Sequence, residues 1–111
     1  MKLSISSHKL LALIKNNNVT ILDVRDKEEF DRGHIFGACH IPVGELSLRH
    51  QELLESKVIV TYCGKGGGRS ERAASMLNEN GKNALWLEGG FLEWSLVPGS
   101  ALDEEPMMKS P

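Results

Sequence analysis

The stretch YCGKGGGRSERAAS, residues 62–75, combines one cysteine with a glycine-rich, cationic segment. Between Cys63 and Arg69 lie four glycines and a lysine: Gly64, Lys65, Gly66, Gly67 and Gly68. Because glycine has no Cβ atom, the N–H groups of such a segment can turn inward around an anion. A thiol next to these donors and a cation has a lowered pKa, and its thiolate is the nucleophile. The stretch therefore predicts that Cys63 is a nucleophile that attacks an anionic group.

The elements around this stretch place the cysteine at the edge of a sheet. The apolar run KVIVTYC, residues 57–63, is typical of a buried strand, and Cys63 is its last residue. A helix is expected to begin near Arg69 or Ser70. In α/β proteins the functional crevice lies where the strands end, and a helix N-terminus there attracts anions. The loop from Gly64 to Arg69 is therefore the predicted anion site.

The remaining elements alternate in type along the chain. Strands are predicted at residues 19–24, 38–41 and 83–90. A first helix is predicted with Ser6 or Ser7 as its cap and its end near Asn16–Asn18, and a second with Asp26 as its cap and its end at Gly33. Further helices are predicted at residues 44–56, 69–81 and 91–95. Short strands that alternate with helices imply right-handed crossovers. The predicted fold is therefore α/β, with a parallel central sheet and helices on both of its faces.

Composition limits the partners and the setting of the chain. The 111 residues are 41% hydrophobic and 25% charged, which fits one domain with its own core. A formal net charge of -2 gives no basic footprint for nucleic acid or an anionic membrane, so neither partner is expected. The only apolar run near the N-terminus, LLALI, is too short for a signal peptide or a membrane span. We therefore expect a cytoplasmic protein.

The end of the chain differs in character from the rest. Residues 96–111 contain three of the four prolines and three consecutive acids, with no helical or alternating pattern. Such composition favours a loosely ordered tail. The predicted organisation is one domain over residues 1–95, followed by a tail over 96–111.

Three motifs in this order resemble the signatures of the single-domain rhodaneses, a family of sulfurtransferases. They are ILDVRDKEEFDRGHIFGACHIP, VIVTYC with its basic glycine loop, and LWLEGGFLEWS, and they extend from Thr20 to Trp94. The resemblance implies a rhodanese-like single domain in which Cys63 carries sulfur as a persulfide. It further implies that Gly64–Arg69 cradles the sulfur and that Lys65 and Arg69 hold a small anionic donor such as thiosulfate. The acceptor would be cyanide or a thiol, which another protein could carry, and no cofactor is implied.

The loop length leaves two alternatives open. Many single-domain rhodaneses have four residues between this cysteine and arginine, whereas this chain has five. Five is the spacing of the cysteine-dependent phosphatases and some arsenate reductases that share the fold, followed by Ser or Thr, here Ser70. Those enzymes usually carry a histidine directly before the cysteine, and this chain has Tyr62. The other alternative to a sulfurtransferase is a non-catalytic binding module, but the presence of Cys63 argues against it.

Other reactive residues are better explained by structure than by chemistry. Asp23 and Arg25 are expected to form a buried ion pair, because buried charges persist when paired. The resemblance to the rhodaneses further implies that His34 holds a loop by hydrogen bonds rather than acting as a general base. Cys39 and His40 lack further ligands at metal spacing, so no metal site is predicted. Cys39 could resolve an oxidised or sulfurated Cys63 only if the two sulfurs lie within disulfide reach.

Overall fold

A parallel sheet carries the cysteine loop at its centre. The computed structural model describes residues 3–53, 57–99 and 102–104. Within these residues the sheet has five strands, in the order β1 (Ser4–Ile5), β6 (Ala84–Leu87), β5 (Val58–Tyr62), β2 (Val19–Asp23) and β4 (Cys39–His40). All neighbouring strands are parallel. Since β5 lies between β6 and β2, the residue that follows it emerges in the middle of the carboxyl edge.

The helices begin and end at residues suited to capping. α1 (Ser7–Lys15) begins after Ser6, whose hydroxyl accepts the N–H of Lys9, and α2 (Lys27–Arg32) begins with a capping box between Asp26 and Glu29. The others are α3 (Leu46–Arg49), α4 (Gly68–Glu79) and α5 (Gly90–Trp94). No helix in the described ranges is long and apolar enough to cross a membrane.

Helices cover both faces of the sheet. On one face, Leu10 of α1 and Trp94 of α5 pack with Val60 and Tyr62 of β5. On the other face, the buried side chains of α3 and α4 pack with strand residues and Cys63; they are Leu46, Ala73, Ala74 and Leu77. The predicted parallel α/β architecture is therefore confirmed.

The helix predicted over residues 44–56 is wrong in its extent. The chain instead forms a 3₁₀ turn at Val43–Glu45, the single turn of α3, and a second 3₁₀ turn at His50–Glu52. Leu46 and Leu53 are buried, but Leu48 is 87% exposed. Two buried leucines supply too little apolar contact to stabilise a long helix. Residues 54–56, which the prediction included, lie outside the described part.

Short strands outside the predicted set complete the fold. β1 adds an edge strand before α1, and β3 (Gly33–Ile35) follows α2 directly. β3 pairs in antiparallel fashion with β7 (Leu102–Glu104). The sequence pattern indicated a loosely ordered tail over 96–111; Leu102–Glu104 within it form this strand, and residues 100, 101 and 105–111 lie outside the described part. A pairing of two or three residues leaves no period in the sequence to detect.

A buried ion pair fixes the end of β2. One carboxylate oxygen of Asp23 accepts the N–H of Arg25, and the guanidinium of Arg25 donates to both oxygens, with Nη2 and Oδ2 2.7 Å apart. Arg25 Nη2 also donates to the carbonyl of Gly33 at 2.7 Å, and its guanidinium stacks over the ring of Phe91. The predicted buried ion pair is confirmed. It ties β2 to β3 and α5.

His34 also makes contacts of the kind expected for it. Its Nδ1 lies 2.9 Å from the carbonyl oxygen of Phe30, and its ring stacks on that of Phe30 at 3.7 Å between centroids. The histidine therefore joins the last turn of α2 to β3.

We predict that Asp23→Asn destabilises the fold. The substitution leaves the buried guanidinium of Arg25 without its counter-charge, which should lower the free energy of unfolding by about 3 kcal/mol. Urea unfolding measures the change. Asp31→Asn is the matched control, because it removes a carboxylate from an exposed ion pair with Lys27 and should leave the unfolding midpoint nearly unchanged. Equal effects of the two substitutions would contradict the role given to Asp23.

Candidate functional site

Cys63 lies at the carboxyl edge of the sheet, immediately after β5. Its residue is 5% exposed, and Tyr62 before it is fully buried. The loop that follows leads directly into α4, which begins at Gly68 with Gly67 as its N-cap. The strand and the helix thus position the sulfur between them, at the place where ligands bind in α/β folds.

Three consecutive glycines give the loop a shape that other residues rarely adopt. Gly66, Gly67 and Gly68 have φ angles of 89°, 66° and 46°. Gly67 combines its positive φ with a ψ of -156°, a region that is essentially open to glycine alone. A Cβ atom at Gly66 would lie 2.7 Å from the backbone nitrogen of Gly89. The glycines are therefore required by backbone conformation and by close approach.

Backbone N–H groups at the start of α5, after the turn that follows β6, bind carbonyl groups of the cysteine loop. The N–H of Phe91 donates to the carbonyl of Cys63 at 2.8 Å, and that of Leu92 donates to the carbonyl of Gly64 at 3.0 Å. A Cβ atom at Gly90 would lie 2.5 Å from the Cys63 carbonyl oxygen. Because these carbonyls are bound on the α5 side, the loop can direct N–H groups towards the sulfur. This support was missed in the sequence analysis, although two glycines after a strand, in LEGGF, were its signal.

The surroundings of Cys63 favour its thiolate. Burial alone would raise the pKa of the thiol, but hydrogen bonds from the Ser70 hydroxyl and from the backbone N–H groups of Ser70, Gly66 and Lys65 outweigh it. The pKa of Cys63 therefore lies below its ordinary value. A lowered pKa increases the thiolate fraction near neutral pH, which is the property that a sulfur nucleophile needs.

Ser70 is a further functional candidate that the sequence analysis did not select. Its hydroxyl oxygen lies 3.3 Å from Cys63 Sγ, and the hydroxyl donates to the carbonyl of Gly67 at 2.9 Å. The thiol can itself donate to the Gly67 carbonyl, 3.3 Å away. When the sulfur is ionised, rotation of the Ser70 hydroxyl can redirect its hydrogen to the thiolate. The Ser70 hydroxyl can thus accept a hydrogen bond from the thiol and donate one to the thiolate.

The two cations of the loop are placed differently. Lys65 is exposed. Arg69 is half-buried and forms an ion pair with Glu29 of α2, in which Nη1 and Oε1 are 2.9 Å apart and Nη2 and Oε2 are 3.3 Å apart. Of the predicted site residues, Gly67 offers its carbonyl to Cys63 Sγ, and Lys65 and Gly66 offer their backbone N–H groups. The guanidinium of Arg69 already has a carboxylate partner.

Cys39 does not lie within disulfide reach of Cys63. Cys39 pairs with Leu22 of β2, and Leu22 pairs with Thr61 of β5. The strands that carry the two cysteines are therefore two strand spacings apart, about 9.6 Å. A disulfide requires Cα atoms within about 7 Å, so Cys39 would need a backbone rearrangement to act as a resolving thiol. Cys39 is exposed, whereas Cys63 is buried.

Two other kinds of group could contribute to chemistry at Cys63: metal-binding clusters and the neighbouring Tyr62 hydroxyl. Over the described residues, no three His, Cys, Asp or Glu side chains form a group that could hold a metal ion. Burial and the Asp23 carboxylate raise the pKa of Tyr62 far above its usual range, so its hydroxyl stays protonated.

We predict that Ser70→Ala moves the pKa of Cys63 upward, towards its ordinary value, because one donor to the thiolate is lost. Fewer molecules then carry a thiolate at neutral pH, so alkylation by iodoacetamide at pH 7 slows and its pH midpoint rises. The measurement is the alkylation rate against pH. Ser75→Ala, on the exposed side of α4, should leave the profile unchanged. An unchanged midpoint in Ser70→Ala would exclude this role for the hydroxyl.

The chain is similar to curated proteins from several bacteria. Three relatives are 37% to 41% identical over the aligned residues, and the chain spans only 43% to 59% of their lengths. One of them, the Putative sulfur carrier protein YrkF of Bacillus subtilis, is 38% identical over 72% of this chain and 43% of its own. Thiosulfate sulfurtransferase GlpE of Coxiella burnetii is 28% identical over 74% of this chain and 77% of its own.

A solved structure and a family profile extend the similarity to nearly the whole fold. The crystal structure of a rhodanese-related protein from Thermoplasma volcanium has a TM-score of 0.82 and 32% identity, and the match covers 92% of this chain and 98% of that one. Residues 6–96 match the profile of the rhodanese-like domain. The chain therefore belongs to the rhodanese-like domain family.

Proposed function

We propose that the protein is a sulfurtransferase that carries sulfane sulfur as a persulfide on Cys63. The observation that carries the proposal is the set of donors around the sulfur, which lower the pKa of Cys63 despite its burial. The names of YrkF and GlpE, a putative sulfur carrier and a thiosulfate sulfurtransferase, support the same chemistry.

The proposed reaction has two steps. The thiolate of Cys63 attacks the outer sulfur of thiosulfate, an S–S bond forms to the protein, and sulfite leaves with the electron pair of the broken S–S bond. Cyanide or a thiolate then attacks the outer sulfur of the persulfide, and the Cys63 thiolate leaves as the product departs. The alternation of donor and acceptor gives ping-pong kinetics through a covalent intermediate.

The loop supplies what the intermediate requires. A persulfide anion is one atom longer than a thiolate, and its charge lies on the outer sulfur. The N–H groups of Gly64 to Gly68 are the proposed donors to that sulfur, and Lys65 and Arg69 are the proposed cations for the donor molecule. The acceptor is proposed to be cyanide, a small thiol, or a thiol on another protein.

Intact-mass spectrometry without reductant tests the proposal. After incubation with thiosulfate, or with the persulfide of 2-mercaptoethanol, the protein should gain the mass of one sulfur atom, and cyanide should remove it. Cys63→Ser should gain none, because a hydroxyl is not ionised at neutral pH. Cys39→Ser is the matched control and should load like the unmodified chain. The proposal would be refuted if neither donor loaded the protein with sulfur, or if Cys63→Ser still gained the mass of a sulfur atom.

The loop spacing favours one second candidate, a cysteine-dependent phosphatase or arsenate reductase. Five residues separate Cys63 from Arg69, and Ser70 follows with its hydroxyl 3.3 Å from the sulfur. Two observations weigh against it. The segment Gly64–Gly68 contains no acid to protonate a leaving oxygen, and Arg69 is paired with Glu29. Hydrolysis of a generic aryl phosphate by the protein, lost in Cys63→Ser and unaccompanied by sulfur loading, would favour this candidate.

A further inference from the structure

The ion pair between Arg69 and Glu29 joins the cysteine loop to a distant part of the chain. Glu29 lies in the first turn of α2, and both oxygens of its carboxylate contact the guanidinium. Each of the two side chains is 33% exposed. Glu29 Oε1 also accepts the backbone N–H of Asp26 at 3.1 Å, as part of the capping box. The carboxylate is therefore held in place by its own helix and does not merely follow Arg69.

This pair lies beside the residue that follows the cysteine. Arg69 Nη2 is 4.0 Å from the position that a Cβ atom would take at Gly64, the residue after the cysteine. The charge of Cys63 contributes to raising the pKa of Arg69, after the larger contribution of Glu29, so the guanidinium and the sulfur are close enough to interact. Glu29 thus binds the cation that a donor anion would otherwise use.

A second carboxylate lies beside the same loop. Glu71 Oε1 is 4.0 Å from the Cβ position of Gly67, the N-cap of α4. With Glu29 it places two negative charges around a loop whose own cations are Lys65 and Arg69. The backbone donors of the loop remain available to an anion, but they contribute partial charges and no full positive charge.

We propose that Glu29 is a specificity-determining residue that disfavours doubly charged donors such as thiosulfate and favours the persulfide of an organic thiol. This inference rests on the function proposed above and concerns the donor for the same site. Thiosulfate carries a second charged end, its sulfonate, which would need the Arg69 guanidinium that Glu29 already binds. A persulfide presents at most one negative charge, on the sulfur that is transferred.

The favoured reaction balances without any further reagent. The Cys63 thiolate attacks the outer sulfur of R–S–SH, the new S–S bond forms on Cys63, and R–S⁻ leaves with the electron pair of the old S–S bond. The proton stays on the transferred sulfur and is lost to solvent as the persulfide anion forms.

The test compares two donors in variants of the full chain. For each variant we would measure kcat/KM for thiosulfate and for the persulfide of 2-mercaptoethanol, which carries no charge outside its sulfur pair. Glu29→Gln should raise the ratio of thiosulfate to persulfide kcat/KM by roughly fivefold, the scale of one partly exposed ion pair. Glutamine retains an oxygen for the Asp26 N–H, so the cap of α2 is kept.

Two controls separate this role from a general effect of charge or folding. Glu28→Gln makes the same charge change at the exposed neighbouring position and should leave the ratio unchanged. In an Arg69→Gln background, Glu29→Gln should change the ratio much less, because its effect is exerted through the guanidinium. A structural role for Glu29 would instead alter both donors equally in either background.

The outcomes distinguish this inference from the function on which it rests. If the unmodified chain loads sulfur on Cys63 from both donors but Glu29→Gln leaves the ratio unchanged or lowers it, the specificity role is refuted and the sulfurtransferase proposal stands. The specificity role is also refuted if Glu28→Gln raises the ratio as much as Glu29→Gln does. If neither donor loads Cys63, the sulfurtransferase proposal fails and this inference fails with it.

Discussion

The structure around the cysteine depends on one constraint: a sulfur atom that is almost fully buried must be able to hold a negative charge. Burial opposes that charge, so the pKa of Cys63 falls only because the Ser70 hydroxyl and several backbone N–H groups face the sulfur. Those N–H groups can converge only if the backbone adopts positive φ angles at Gly66 and Gly67. Their carbonyl neighbours must then be bound elsewhere, which the N–H groups of Phe91 and Leu92 achieve. Loop, turn and helix are thus consequences of the same electrostatic requirement.

The elements that have a strong local signal were predictable from sequence. The buried strand before Cys63 is a continuous apolar run, and Ser6 and Asp26 cap α1 and α2 as their side chains predict. The helix over 44–56 was wrong because Leu46 and Leu53 satisfy a helical period without enough buried surface between them. The pairing of β3 with β7 was missed because strands of three residues show no alternation. Local patterns record local preferences, and these elements depend on tertiary contacts.

The candidate site was likewise only partly predictable from the sequence. Cys63 and the glycines were recognisable, because a reactive residue beside several glycines has few structural explanations. The pairing of Arg69 with Glu29 was not, since 40 residues separate the two and only the fold brings α2 against the start of α4. That pairing changes how the site is understood. The loop contains two cations in sequence, but in space one of them, Arg69, is already bound to a carboxylate, whereas Lys65 is exposed.

The central claim is that the persulfide on Cys63 is the working intermediate of sulfur transfer. The most direct measurement is a single-turnover experiment in which sulfur-loaded protein, freed of donor, is mixed rapidly with cyanide. We expect one thiocyanate per loaded Cys63, formed at a rate at least equal to kcat of the steady-state reaction under the same conditions. Discharge slower than kcat would show that the persulfide lies off the catalytic path, and Cys63 would then not be the sulfur carrier of the reaction.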